Sequence, residues 1–104
     1  MSVAKINKAV FEELKRGSKP IFVDFYADWC GPCRMLAPIV EKVASARPDV
    51  EFCKVNVDDE PELASEFGVF SIPALFVIKD GKAVASAVGA QPEGKILEML
   101  DSAG

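Results

Sequence analysis

The chain has 104 residues, of which 50% are hydrophobic and 27% are charged, and its net charge is −4. This length fits one domain, residues 1–104, and the composition is that of a globular protein rather than a disordered or membrane-embedded one. Charges of both signs are interspersed and form no basic stripe, so neither nucleic acid nor a membrane surface is an expected partner.

The first part of the chain predicts a strand, a helix and a second strand. A short strand is expected over 3–6, followed by a helix that Asn7 caps and that ends at Gly17. The side chains expected to face inward from this helix are Val10, Phe11 and Leu14. The apolar run Ile21–Tyr26 then predicts a strand buried on both faces.

A long helix is predicted from Pro32 to the Arg47-Pro48 pair, because apolar residues recur there at helical spacing. Its expected inward stripe consists of Met35, Leu36, Ile39, Val40, Val43 and Ala44. Pro38 lies inside this helix, where its missing N–H and its ring predict a kink after the first turn.

The remainder of the chain predicts a buried strand, a short helix, a hairpin of two strands and a final helix. The strands are expected over 50–57, 74–78 and 83–88, and the short helix over 61–67, closed by Gly68. Asp80-Gly81 is a hairpin signal, so the last two strands are expected to be antiparallel. The final helix is expected to face inward with Ile96, Leu97 and Leu100.

Strands that alternate with helices predict an α/β fold. We expect a central mixed sheet, mostly parallel with a C-terminal antiparallel hairpin, flanked by helices on both faces.

The first functional signal is the pair Cys30 and Cys33 at the start of the long predicted helix. Unpaired backbone N–H groups and the helix dipole at such a position stabilise a thiolate on the first sulfur. The second sulfur is close enough to attack a mixed disulfide that the first has formed. The pattern therefore predicts thiol–disulfide exchange, with Cys30 as nucleophile and Cys33 as resolving thiol. Gly31 lets the backbone turn closely around the sulfurs, and Pro32 suits the first helical position.

Compartment and ligand number bear on the alternative that this pair binds a metal. Residues 1–16 lack the basic start, apolar run and cleavage site of a secretory signal, so a cytoplasmic location is expected. Persistent structural disulfides are rare there, so a close Cys pair indicates redox work or a metal. The sequence has no His, and Cys53 is the third thiol, so one chain cannot supply the four Cys/His ligands of a zinc site. A site shared between chains stays open, but no metal and no cofactor are expected besides the cysteine pair itself.

The segment Val23-Asp24-Phe25-Tyr26-Ala27-Asp28-Trp29-Cys30-Gly31-Pro32-Cys33-Arg34-Met35 resembles the active-site segment of the thioredoxin family. Further segments match in the family's order and spacing: Ala37-Pro38, Lys54-Val55-Asn56-Val57-Asp58, Ser71-Ile72-Pro73, Lys79-Asp80-Gly81 and Val88-Gly89-Ala90. The resemblance spans essentially the whole chain. It implies the thioredoxin fold and the reduction of disulfide-containing target proteins. It also implies re-reduction by a thioredoxin reductase that uses NADPH or, in photosynthetic lineages, ferredoxin. A monomer is expected.

The resemblance also implies roles outside the cysteine pair. Asp24 resembles the family's buried carboxylate and Lys54 the cation beside it, and both are expected to take part in catalysis. Pro73 resembles the family's cis-proline opposite the disulfide, and Trp29 the indole beside the nucleophile. The residues expected to bind substrate are Trp29, Gly31, Pro32, Ile72, Pro73 and Gly89.

Most of these residues also have a structural interpretation. A carboxylate in an apolar strand usually faces solvent at a strand end or is satisfied by a partner. Asp24 lies six residues before Cys30 and is better placed to move protons for Cys33 through a water. Lys54 would by default be a solvated lysine, and Trp29 a core residue.

Four further positions complete the expectations. Tyr26 stands where many family members have a second Trp, and Ala74 replaces a Thr that often follows the cis-proline. Cys53 is expected to be an unreactive packing thiol. The run 58–60, Asp-Asp-Glu, is expected to be a solvated segment before the short helix.

Two further functions compete with disulfide reduction. A binding module could use the apolar rim around Cys30, Ile72 and Gly89 to hold a partner without redox turnover. A disulfide-forming or isomerising protein of an oxidising compartment could use the same cysteine pair. The missing signal segment and the Gly31-Pro32 dipeptide favour reduction.

Overall fold

The computed structural model describes residues 3–104 and contains five strands and four helices. In chain order they are β1 (Ala4–Lys5), α1 (Lys8–Lys15), β2 (Ile21–Tyr26), α2 (Gly31–Ala46), β3 (Glu51–Asn56), α3 (Pro61–Glu66), β4 (Ala74–Lys79), β5 (Lys82–Val88) and α4 (Glu93–Asp101). Every predicted element is present, with ends that differ by one or two residues. Within 3–104, no helix is long and apolar enough to cross a membrane.

The strands form one mixed sheet in the order β1-β3-β2-β4-β5. β1 and β2 both run parallel to β3, whereas β4 runs antiparallel to β2 and β5 antiparallel to β4. The mixed sheet is confirmed, but the four pairings divide evenly between the two directions instead of being mostly parallel.

The direction of β4 follows from where the chain re-enters the sheet. Phe25, near the end of β2, lies opposite Val55 of β3 and opposite Ala74, the first residue of β4. The short α3 and the loop after it therefore return the chain at the end of the sheet where β3 leaves it. A strand that starts there must run backwards relative to β2, and the alternation of strands and helices in the sequence does not reveal this.

The closing hairpin has the predicted turn and one irregularity. Asp80 and Gly81 have positive φ values of 54° and 79°, as a type I′ turn requires. Farther along, Val77 lies opposite Ala85 but its neighbour Ile78 lies opposite Ala83, so Val84 is the extra residue of a β-bulge.

Helices cover both faces of the sheet, as predicted. One hydrophobic cluster joins α2 and α4 to the sheet; its largest buried members are Phe22, Phe52, Leu36, Leu75, Ile96, Met99 and Leu100. The other joins α1 and α3 to the opposite face; its largest buried members are Phe11, Phe25, Ile6, Ile21, Ile78 and Leu63.

Helices α1 and α2 bury narrower faces than the sequence predicts. Asn7 caps α1 by accepting a hydrogen bond from the Val10 N–H (3.0 Å), as expected, but the C-cap is Arg16 rather than Gly17. Val10 and Met35 were expected inside, yet they are 37% and 75% exposed. Each lies one residue from a buried neighbour, and one residue is a rotation of about 100° on a helix, which turns both to solvent. α2 continues through Pro38, and the kink there stays a prediction.

Candidate active site

Cys30 and Cys33 form a disulfide at the N-terminus of α2, with their Cα atoms 5.3 Å apart. Cys30 is the N-cap residue, and the Cys33 N–H donates to its Sγ at 3.2 Å. Gly31 takes the first helical position and Pro32 the second, one later than predicted. The cap interaction shows how unpaired N–H groups of the first turn favour negative charge on the Cys30 sulfur.

The segment from β2 into α2 holds the pair in place. The Cys30 N–H donates to the Ala27 carbonyl at 3.2 Å, and the Arg34 guanidinium donates to the Asp28 carbonyl at 2.8 Å. Both cysteines are almost buried, with 5% and 4% exposure. The disulfide therefore has little solvent around it.

Asp24 lies in the middle of β2 and is buried, with 4% exposure. Its Oδ1 has no hydrogen-bond partner among the described residues. Burial raises the pKa of Asp24 to about 7, and the positive charge of Lys54 opposes that rise. The structure thus fits neither structural interpretation of this carboxylate, because the side chain does not face solvent and its Oδ1 has no hydrogen-bond partner among the described residues.

A pocket of about 190 Å³ brings Asp24, Lys54 and Cys33 together. Its other lining residues are Tyr26, Ala27, Asp28, Arg34 and Ala37. Asp24 and Lys54 lie opposite each other in the parallel β2–β3 pairing. The Lys54 Nζ lies 5.3 Å from the centroid of the Tyr26 ring, a cation–π arrangement that positions the ammonium over the pocket wall. The pocket is lined by both polar and apolar groups and is large enough for water, which could carry a proton between carboxylate and thiol.

The loop before β4 lies on the other side of the disulfide. The Ile72–Pro73 peptide bond is cis, as the family resemblance implies. The Ile72 carbonyl oxygen lies 3.9 Å from the Cys30 Sγ. The Gly89 N–H donates to the Pro73 carbonyl at 2.7 Å, and the Gln91 side-chain amide donates to the Gly89 carbonyl at 3.3 Å. Three predicted site residues therefore share one surface beside Cys30, and Gln91 is a supporting residue that the sequence did not indicate.

Trp29 is 69% exposed, so it is not a core residue. Its indole Nε1–H donates to the Asp58 carboxylate at 2.9 Å. Asp58 and Asp59 were expected to be merely solvated, but Asp59 forms an ion pair with Lys5 at 2.8 Å. The position of this acidic run, directly after β3 at the same end of the sheet as Trp29, is the signal that could have indicated the contact.

Cys53 is buried in β3, apart from the disulfide, with 1% exposure. Its S–H donates to the Phe22 carbonyl oxygen at 3.6 Å, and burial raises the pKa of its thiol to about 12. This environment fits the expected unreactive packing thiol. Over the range 3–104, no group of three or more His, Cys, Asp or Glu side chains is placed to hold a metal ion.

Comparison with known proteins identifies the family. The family model for thioredoxin matches residues 2–102. The chain belongs to the thioredoxin family. The thioredoxin of Alicyclobacillus acidocaldarius is 46% identical over 96 residues, which cover 91% of each chain. Thioredoxin 1 of Synechococcus elongatus is 46% identical over 104 residues, which cover 97% of each chain. The crystal structure of mitochondrial thioredoxin 3 from Saccharomyces cerevisiae, in its oxidised form, superposes with a TM-score of 0.86 at 37% identity, covering 96% of this chain and 95% of that one.

Membership of the thioredoxin family establishes the reaction class. The chain is a thiol–disulfide oxidoreductase, and the Cys30–Cys33 disulfide in its Cys-Gly-Pro-Cys motif is the redox-active group. That group is part of the protein itself. The thioredoxin fold expected from the sequence is confirmed.

Proposed function

We propose that residues 1–104 form a single thioredoxin domain that reduces the disulfides of target proteins. The observation that carries this proposal is the placement of the Cys30 sulfur. It caps the N-terminus of α2 and bonds to Cys33 one turn along the same helix. One sulfur is thereby held in an environment that favours the thiolate, and the second is held within reach of it.

The proposed reaction transfers two electrons in two exchange steps. In the reduced chain, the Cys30 thiolate attacks the target disulfide, whose S–S bond breaks as one target thiolate leaves. The product is a mixed disulfide between Cys30 and the target. Cys33 then loses its proton and attacks the Cys30 sulfur, which releases the second target thiolate and forms the Cys30–Cys33 disulfide. The target is reduced and the chain oxidised.

Asp24 and Lys54 are the proposed groups for the proton that Cys33 must lose. A carboxyl with a pKa of about 7 can accept a proton near neutral pH and release it again. Asp24 and Cys33 line the same pocket, so a water there can relay the proton. Lys54, on the neighbouring strand, favours the ionised form of Asp24 and so keeps the carboxylate available as a base.

Substrates are proposed to dock on the surface around Cys30, in which Pro73 is buried and the other residues are partly or fully exposed. That surface consists of Trp29, Gly31, Pro32, Ile72, Pro73 and Gly89. The Ile72 backbone, whose carbonyl lies 3.9 Å from the Cys30 sulfur, is placed to hydrogen-bond an extended target segment.

Partners and location follow from the proposed reaction. Each turnover leaves the chain oxidised, so a thioredoxin reductase is proposed to restore the dithiol with electrons from NADPH or ferredoxin. The chain then serves electron transport and redox homeostasis as a monomer that needs no metal or separate cofactor. The cytoplasm is the proposed compartment, because thiols are kept reduced there.

Reduction of insulin disulfides tests the proposal. The chain, kept reduced by dithiothreitol, should precipitate insulin chains faster than dithiothreitol alone, and Cys30→Ser should abolish the difference. Titration of the cysteine pair against glutathione and NADPH should then show a potential low enough to reduce target disulfides. A chain that retains partner proteins after its thiols are alkylated, yet never accelerates insulin reduction, would be a binding module instead.

A further inference from the structure

Phe70 is the most exposed large hydrophobic residue described, at 99%, and lies in the loop between α3 and β4. The six other phenylalanines all take part in ring–ring contacts within the fold: Phe11, Phe22, Phe25, Phe52, Phe67 and Phe76. Folding therefore buries none of the Phe70 ring. Its apolar surface is left for a partner to cover.

The Phe70 ring borders a hollow of about 190 Å³. The other lining residues are Trp29, Val57, Val69 and Ile72, so no charged side chain lines it. We call these five residues the apolar hollow. The Trp29 indole forms one wall and is oriented by its hydrogen bond to Asp58. An oriented side chain binds apolar groups at a lower ordering cost than a free one.

The apolar hollow is continuous with the reacting sulfur. Trp29 directly precedes Cys30, and the Ile72 carbonyl oxygen lies 3.9 Å from the Cys30 Sγ. In the exchange reaction a target sulfur must bond to Cys30. The residues that flank the attacked target cysteine are therefore held over this surface in every productive encounter.

We propose that Phe70 sets this chain's preference among targets, by adding an apolar contact for a side chain that flanks the attacked cysteine. This inference rests on the proposed reduction of protein disulfides. A leucine or aromatic side chain loses water against Phe70 and Trp29 and gains contact with both rings. A charged side chain at the same place would lose hydration without finding a partner in the hollow.

The test compares pairs of peptides, each closed by one disulfide and identical except for one residue beside the attacked cysteine. That residue is Leu in one peptide and Ser in the other, and separate pairs place it before or after the cysteine. The readout is the ratio of kcat/KM for the Leu and Ser peptides. In one pair, Phe70→Ser should lower this ratio about 3- to 10-fold, since part of one apolar contact is lost. Phe70→Tyr, which keeps the ring, should retain the ratio. The matched control is Val84→Ser, at a 41% exposed valine on β5 outside the hollow, and it should also retain it.

The outcomes separate this inference from the function on which it rests. If the unsubstituted chain reduces neither peptide of any pair, the proposed function itself fails. If it reduces them all with ratios near one, or if Phe70→Ser leaves every ratio unchanged, Phe70 does not set a preference among targets and the proposal is wrong. Sedimentation tests whether a second copy of the chain occupies the apolar hollow instead. A dimer that Phe70→Ser converts to a monomer, with peptide ratios unchanged, would make the hollow an interface between two copies and overturn the proposal.

Discussion

Replacing Asp24 by asparagine tests the role of the buried carboxyl most directly, because the change removes the charge and nearly preserves the shape. In the folded chain the pKa of Asp24 is about 7, against an ordinary value of 3.8, because burial disfavours the carboxylate. Between these two pH values the folded state holds a proton that the unfolded state has released. The free energy of unfolding should therefore fall as the pH rises through this window, which is the opposite of the behaviour of a salt-bridged carboxylate.

The size of the effect follows from the pKa difference. At 1.36 kcal/mol per pKa unit, the rise from 3.8 to about 7 corresponds to roughly 4 kcal/mol of lost stability above pH 7. The amide that replaces the carboxyl carries no charge at any pH. Asp24→Asn should therefore be more stable than the unsubstituted chain by about 2 to 4 kcal/mol at pH 8, with water in the pocket reducing the figure, and nearly equal to it at pH 4.

Denaturant melts of the oxidised chain and of Asp24→Asn between pH 4 and pH 9 measure this difference. Ion-pair partners lower the pKa values of the exposed carboxylates Asp49 and Glu62. Both variants share these groups, so their contribution to the pH dependence cancels in the difference. In parallel, single-turnover reduction of a target should be slower in Asp24→Asn and should lose its inflection near pH 7, because Cys33 has lost its proton acceptor. A variant that is less stable at pH 8, with a parallel stability curve and unchanged kinetics, would refute the proposed role and make Asp24 a structural carboxylate.

Three further predictions concern the thiols and one helix cap. Cys33→Ser should accumulate target proteins as mixed disulfides on Cys30, because the resolving thiol is missing, and Cys30→Ser should capture none. Mass spectrometry of the captured complexes checks this, and linkage through Cys53 would reverse the assignment. Cys53→Ala should leave the insulin reduction rate nearly unchanged and lower stability by about 1 kcal/mol through a lost buried contact, so a large loss of rate would show a functional third thiol. Asn7→Ala should cost about 1 kcal/mol in a denaturant melt through the lost N-cap of α1, with the reduction rate unaffected, and Asn7→Asp should retain most of that stability.

Local patterns in the sequence predicted the elements well, because capping and turn chemistry act over a few residues. Asn7 and Asp80-Gly81 behave as those rules require. The expectation of a mostly parallel sheet was wrong, because β4 runs antiparallel to β2. A short helix followed by a strand carries no information about the end of the sheet at which the chain re-enters. Helical spacing also could not define how wide a face is buried, so Val10 and Met35 were placed inside although both are exposed.

The candidate site was predicted in unequal parts. The disulfide pair follows from its own spacing at a helix N-terminus. The positions of Asp24 and Pro73 beside it came from the family resemblance, since an isolated carboxylate or proline in a strand usually has an ordinary role. Asp58 and Phe70 were missed because their environment is made by distant segments. For Asp58, its position directly after β3 places it at the end of the sheet where Trp29 lies, but the contact with the indole becomes evident only in the folded chain. A phenylalanine in an apolar run gives no hint that it is left fully exposed.

The bulge at Val84 affects how readily copies of this chain can associate through the edge of the sheet. β5 is the last strand of the sheet, and its outer row of N–H and C=O groups is a template on which another β-strand could grow. Of its seven residues only Lys82 is charged, so charge repulsion does little to prevent another strand from pairing with this edge. The extra residue divides the strand into two short stretches and twists one against the other, so a straight strand cannot pair along its whole length.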